Sequence, residues 1–92
     1  MLKLLSIENS PLKTKKLRAS FNDNTHIDFG AKGYSDYLQT NDDFRKNLYI
    51  KRHQSRENWN NPKSAGTLSR YISWNKKTLQ ASIVDYKKRF NL

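Results

Sequence analysis

The sequence has 92 residues, and 18 lysines and arginines against 8 aspartates and glutamates give a formal net charge of +10 at pH 7. It contains no cysteine, which excludes a disulfide scaffold, a cysteine-ligated zinc site and thiol catalysis. A chain of this length forms one small domain and needs an efficient core. Two Trp, five Tyr and four Phe can supply that core despite a mean hydropathy of −1.00, so we expect a folded domain.

The sequence predicts neither a membrane span nor a signal peptide. No apolar run approaches the ~20 residues that a membrane span requires. The N-terminal stretch MLKLLSIENS has neither a sustained apolar region nor a small-residue cleavage site. We therefore expect a protein that is neither secreted nor transmembrane.

Residues 1–12 are predicted to form either an extra strand or an apolar arm that docks on the core or on a neighbour, and residues 13–92 a single compact domain. The arm supplies the candidate protein-interface residues. These are Leu2, Leu4, Leu5 and Ile7.

Residues 14–29 predict a β-hairpin. Apolar and polar residues alternate from Leu17 to Phe21 and again from Ile27 to Phe29, the period of a half-buried strand. Between them, Asn22 to Asn24 has the composition of a turn, because Asn and Asp tolerate left-handed backbone conformations.

The remainder of the chain predicts about three short helices. Thr40 is the expected cap of the first, with Phe44 and Leu48 on one stripe. Ser64 and Thr78 are the expected caps of the next two. The predicted fold class is therefore α+β: one small domain with an N-terminal hairpin followed by helices. Its core is predicted to draw mostly on the last third of the chain, namely on Trp59, Leu68, Ile72, Trp74, Leu79, Ile83 and Phe90.

Candidate catalytic and metal-binding groups are sparse. His26 and Asp28 share a strand face, but a metal site needs a further ligand, and His53 fits a helix end or packing on Tyr49 better. No phosphate-cradling nucleotide loop and no Gly-x-Ser-x-Gly setting occurs. We predict a protein that is not an enzyme, with no catalytic residues, metal, cofactor or small-molecule substrate.

Basic clusters are the main functional signal. Such a positive charge predicts contact with a polyanion, and nearby tyrosines can stack on unpaired bases. The loop from Gly30 to Gly33 encloses Lys32. Its first interpretation is a strand-to-helix turn that needs positive φ, and its alternative is a Gly-x-x-Gly loop that approaches a nucleic-acid backbone. The candidate polyanion-binding residues are Lys13, Lys15, Lys16, Arg18, Lys32, Arg45, Lys46, Lys51, Arg52, Arg56, Lys76, Lys77, Lys87, Lys88 and Arg89.

A series of motifs over residues 14–92 resembles a small basic protein family of uncharacterised function encoded by nucleocytoplasmic large DNA viruses. The sequence departs from the family pattern at Tyr71, where a Trp is expected, and at Lys77, where a Pro is expected. The motifs that carry the resemblance are DFGAKGYSDY (28–37), RKNLYIKRH (45–53), RENWNNP (56–62), SAGTLSRYISWNK (64–76) and SIVDYKKRFNL (82–92).

The resemblance implies a viral protein, located in the virion or in the host cytoplasm at the viral factory. The first functional hypothesis is a virion-associated structural protein, a minor capsid or packaging element. It would bridge capsid or other virion proteins through its basic surface and apolar arm, with peripheral contact to anionic membrane as a further option. The alternative is a DNA-binding protein of low sequence specificity that uses its lysines and arginines on phosphates.

Overall fold

The fold is α+β, and a computed structural model describes it for residues 1–92. Three strands form an antiparallel sheet in the order β1-β2-β3: β1 (Leu4–Asn9), β2 (Lys15–Phe21) and β3 (His26–Ala31). The predicted hairpin is confirmed. Strands β2 and β3 pair with each other, and Leu17 lies opposite Phe29 and Ala19 opposite Ile27.

Residues 4–9 add a strand to this hairpin rather than extending as a free arm. Ile7 pairs with Ala19, and the register shifts between Leu4 and Ser6. This irregularity is a β-bulge, which adds one residue to a strand and re-aims its side chains. Leu4 consequently enters the core at 6% exposure, whereas Leu5 is 66% exposed.

The outer face of the sheet is polar. Arg18 donates two hydrogen bonds to Asp28, at 2.9 and 3.1 Å, and the Ser10 hydroxyl donates a third at 2.7 Å. Arg18 and then Ser10 hold the pKa of the Asp28 carboxyl below its ordinary value, because they favour its charged form. His26 Nε2 lies 3.9 Å from the same carboxylate.

Four helices follow the sheet. They are α1 (Tyr37–Thr40), α2 (Asp43–His53), α3 (Ala65–Leu68) and α4 (Leu79–Phe90). Residues Ser69–Ser73 continue α3 as one π-helical turn. None of the helices combines the length and the apolar character that crossing a membrane requires.

Side-chain caps begin these helices. Ser64 accepts a hydrogen bond from the Thr67 amide, and Thr78 accepts one from the Ala81 amide, as the sequence predicts. The prediction for α2 was wrong by two residues. Asp42 is its cap, and Thr40 ends α1.

The core joins one face of the sheet to α3, the π-helical turn and α4. Its buried members come equally from the two parts of the chain: Leu4, Ala19, Phe21 and Phe29 from the sheet, and Leu68, Ile72, Tyr86 and Leu92 from the helical part. The prediction that the last third mostly makes the core was therefore too narrow. Leu79, Ile83 and Phe90 pack against the core but are only partly buried.

One further expectation was wrong. Trp59 and Trp74 are half-buried and lie outside the core cluster. Trp74 instead stacks on Tyr49 of α2. The size of the two Trp rings predicted burial in the core, but tertiary contacts determine where they lie. Phe44, which shares a predicted stripe with Leu48, is 71% exposed.

Candidate cationic cleft

A concave site of about 720 Å³, here called the cationic cleft, opens between one end of the sheet, the loop before α1, helix α2, and α3 with its π-helical turn. Its volume lies within the range of ~300–1,000 Å³ typical of ligand sites. The residues that line it are Lys15, Lys16, Gly30, Ala31, Tyr34, Ser35, Asp36, Arg45, Leu48, Tyr49, Arg52, His53, Glu57, Ala65, Gly66, Ser69, Ser73 and Trp74.

One face of α2 forms a wall of the cleft. Arg45, Leu48, Tyr49, Arg52 and His53 follow the spacing i, i+3, i+4, i+7 and i+8, which places side chains on a single face of an α-helix. Two cations and two rings thus reach the same side of the helix. No residue of α2 is fully buried, so this face stays partly open to the cleft although Tyr49 packs on a neighbouring ring.

Lys16 holds the opposite rim together. Its Nζ donates to Asp36 Oδ2 at 3.1 Å, to Gln39 Oε1 at 2.7 Å and to the Tyr34 carbonyl. The lysine charge and the Asp36 carboxylate therefore satisfy each other. These bonds fix the loop that carries the Tyr34 ring, which is 75% exposed.

The second carboxylate of the cleft also has neighbours. A Glu57 oxygen lies 3.8 Å from His53 Nδ1. The Glu57 side chain rests against Gly66, where any added Cβ would collide with it. Glycine at this position allows the carboxylate to lie against α3.

Three cations in the cleft lack an internal partner. The charged groups of Lys15, Arg45 and Arg52 make no hydrogen bond or ion pair within the chain. They are available to an external anion. Of the two carboxylates in the cleft, Asp36 pairs with Lys16, whereas the Glu57 carboxylate makes no hydrogen bond and lies 3.8 Å from His53, so the lining holds four Lys and Arg cations against two carboxylates. The cleft therefore presents positive charge to a ligand.

A stack of three rings stiffens the α2 wall. Tyr49 stacks on Trp74 with ring centroids 4.5 Å apart and on His53 at 4.4 Å. The packing of His53 on Tyr49 agrees with the prediction. Burial raises the pKa of the Tyr49 phenol to about 12, since the charged form is disfavoured away from water.

The back of the cleft contains small residues. Ser69 and Ser73 of the π-helical turn line it together with Gly30, whose φ is +78°. The Ser73 hydroxyl is buried and has no hydrogen-bond partner. A Cβ at Gly30 would lie in ordinary van der Waals contact with this hydroxyl, at 3.7 Å, so the positive φ and not a lack of space favours glycine here. π-helical turns occur frequently at functional sites.

Further positive charge lies behind this wall. Lys46 Nζ donates to the Asn75 carbonyl at 2.6 Å, and an Arg70 nitrogen donates to the Trp74 carbonyl at 3.0 Å. Burial lowers the pKa of Lys46, and the positive charges of Arg70 and Lys76 add to the effect. Two cations held this close add to the positive potential of the region.

The structure gathers four of the fifteen predicted polyanion-binding residues in the cleft: Lys15, Lys16, Arg45 and Arg52. Three others have internal partners, namely Arg18 with Asp28, Lys46 with the Asn75 carbonyl and Arg89 with Asp85. The remainder lie outside the cleft, and these are Lys13, Lys32, Lys51, Arg56, Lys76, Lys77, Lys87 and Lys88.

The four predicted interface residues, Leu2, Leu4, Leu5 and Ile7, also differ in whether the fold already buries them. Leu4 belongs to the core, and Leu2 and Ile7 pack against it, so these three side chains are already occupied within the domain. Leu5 alone presents a largely exposed surface, at the outer strand of the sheet.

Sequence reasoning missed the small residues of the cleft. Gly66, Ser69 and Ser73 recur at i, i+3 and i+7, a helical stripe of small side chains that could have indicated a groove.

Gly30 and Gly33 both have positive φ, as the interpretation of their loop as a turn requires. No group of three or more His, Asp or Glu side chains is arranged to hold a metal ion.

Comparison with known proteins identifies one family. A family model described as "Family of unknown function (DUF5754)" matches residues 5–53, more than half of the chain. The matched part spans the sheet except for Leu4, together with α1 and α2, and it contains all four Lys and Arg residues of the cleft. No curated protein and no solved structure matches the chain.

Proposed function

The chain belongs to this family of unknown function, and from the geometry of its cleft we propose that it is a nucleic-acid-binding protein of low sequence specificity. The observation that carries the proposal is the convergence of Lys15, Arg45 and Arg52, all without internal partners, on one concave site. Phosphate groups are the ligands that such a group of cations favours, and arginine forks match them in geometry.

The charge of the whole domain supports the same function. A net charge of +10 on 92 residues exceeds the magnitude of ~2–8 that suffices for the solubility of a small domain. It raises the local concentration of polyanions and speeds their encounter with the protein. The cleft then supplies positioned contacts. The proposed activity is binding and requires no catalytic group or cofactor.

Fluorescence polarisation with labelled 20-nucleotide DNA, single-stranded and duplex, at two salt concentrations tests this function. We expect micromolar or tighter binding at low salt, and a steep loss of affinity as salt increases because counterions are released on binding. Absence of binding to both forms of DNA at low salt would contradict the proposal.

A second candidate is a virion-associated structural protein, a minor capsid or packaging element that bridges virion components. One observation favours it: β1 is an outer strand of the sheet, and it carries the exposed Leu5. An outer strand with an apolar residue is a template for pairing with another chain. Incorporation of a Leu5→Lys variant into virus particles separates this candidate from the first, since the change leaves the cleft intact.

A further inference from the structure

We propose that the cationic cleft selects an unpaired strand, with phosphates on Arg45, Arg52 and Lys15 and one base stacked on the Tyr34 ring. This inference rests on the proposed nucleic-acid function and names the form of nucleic acid that enters the site. It depends on the size of the cleft, on the spacing of its cations and on the exposed ring at its rim.

The size of the cleft favours a single strand. Its volume of about 720 Å³ corresponds to a small-ligand site, which accommodates one or two nucleotides and not the width of a double helix. A duplex can contact only the rim, whereas a flexible strand can enter and reach the cations on α2.

The spacing of the cations fits more than one phosphate. Arg45 and Arg52 are seven residues apart on one helix face, so their Cα atoms are separated by about 10 Å along the axis. Lys15 approaches from the sheet on the other side. Three phosphate contacts predict a slope of log affinity against log salt of about −2 for a single strand, at ~0.7 per contact.

Tyr34 supplies the platform for a base. Its ring is 75% exposed on the rim of the cleft, while Lys16 binds the carbonyl of the same residue and fixes the loop. An exposed ring on a fixed loop beside free cations is the arrangement that single-strand-binding proteins use to stack bases without sequence preference.

The test compares a labelled single-stranded oligothymidylate of ten nucleotides with a ten-base-pair duplex in a polarisation titration. We expect the single strand to bind at least about tenfold more tightly, and Tyr34→Ala to weaken it by about tenfold. Tyr34→Phe retains the ring and should bind as the wild type does. Phe44→Ala is the matched control, because Phe44 is 71% exposed but lies outside the cleft.

The outcomes separate this inference from the function on which it rests. Equal affinity for strand and duplex, or an unchanged affinity in Tyr34→Ala, would overturn strand selection while leaving nucleic-acid binding in place. Equal losses in Tyr34→Ala and Phe44→Ala would overturn it as well. If neither DNA binds at low salt, the proposed function itself fails.

Discussion

Arginine side chains in this domain differ in whether the fold already provides a partner for the guanidinium group. Arg18 makes a bidentate pair with Asp28. Arg70 donates to the Trp74 carbonyl, and its guanidinium lies over the Trp59 and Tyr71 rings. These two serve the structure. Arg45 and Arg52 have no such partner, and both line the cleft. A free guanidinium group that also lines the cleft, rather than the number of cations, therefore distinguishes the arginines that we propose bind phosphates.

Tyr86 is predicted to anchor the loop before α3. The side chain is fully buried, and its hydroxyl donates to the Pro62 carbonyl at 2.6 Å. Tyr86→Phe leaves that carbonyl without its partner, so we expect the free energy of unfolding to fall by about 1–2 kcal/mol. Urea denaturation followed by tryptophan fluorescence measures the change. Tyr34→Phe, at an exposed ring, is the control and should shift it by less than about 0.5 kcal/mol.

Helices α2 and α4 differ in what they bury. Helix α4 buries Ser82 and Tyr86 against the core. Helix α2 fully buries no residue, and one of its faces lines the cleft. Strand β1 is a third case. Its Leu4 is part of the core, but its other edge has no neighbouring strand. The elements that pack least, α2 and the edge of β1, are those with surface left for partners.

The candidate structural role is tested on β1. Leu5→Lys places a charge on the exposed bulge and removes no core contact, so the free energy of unfolding should change by less than about 0.5 kcal/mol. If β1 docks on another virion protein, the variant should be depleted from purified particles, as measured by immunoblot. Wild-type levels of the folded variant in particles would contradict this role. Deleting the strand would be a poorer test, because Leu4 belongs to the core.

For the whole molecule, the net charge of +10 is a poor guide to the binding surface. Eleven of the fifteen predicted cations lie outside the cleft, and they include Lys87 and Lys88 in the last turn of α4. There they complement the negative end of the helix dipole. Under the proposed function, the total charge attracts polyanions at long range, and the concave arrangement of a few free cations sets where they bind.

The sequence predicted the features that depend on local patterns. Strand alternation gave the hairpin, and Ser64 and Thr78 were correctly expected as helix caps. The bulge at Leu5 was not predictable in this way, because it depends on the register between β1 and β2.

The cleft depends on tertiary packing. Lys15 and Arg45 are distant in sequence, and only the placement of α2 across the cleft from the end of the sheet brings them to one site. Trp74 was expected in the core because large rings are usually buried, yet its stacking on Tyr49 makes it a cleft wall. Local patterns carry no information about either arrangement.

The most direct test compares two variants that lose the same charge from different places. Arg45→Gln/Arg52→Gln removes two cations of the cleft, and Lys87→Gln/Lys88→Gln removes two from α4. In single-strand titrations across a range of salt concentrations, we expect the first variant to bind about tenfold or more weakly and its salt slope to become shallower by about 1.4. The second should bind within about twofold of the wild type. Equal losses of affinity in the two variants would contradict the account, because binding would then follow net charge and not the cleft.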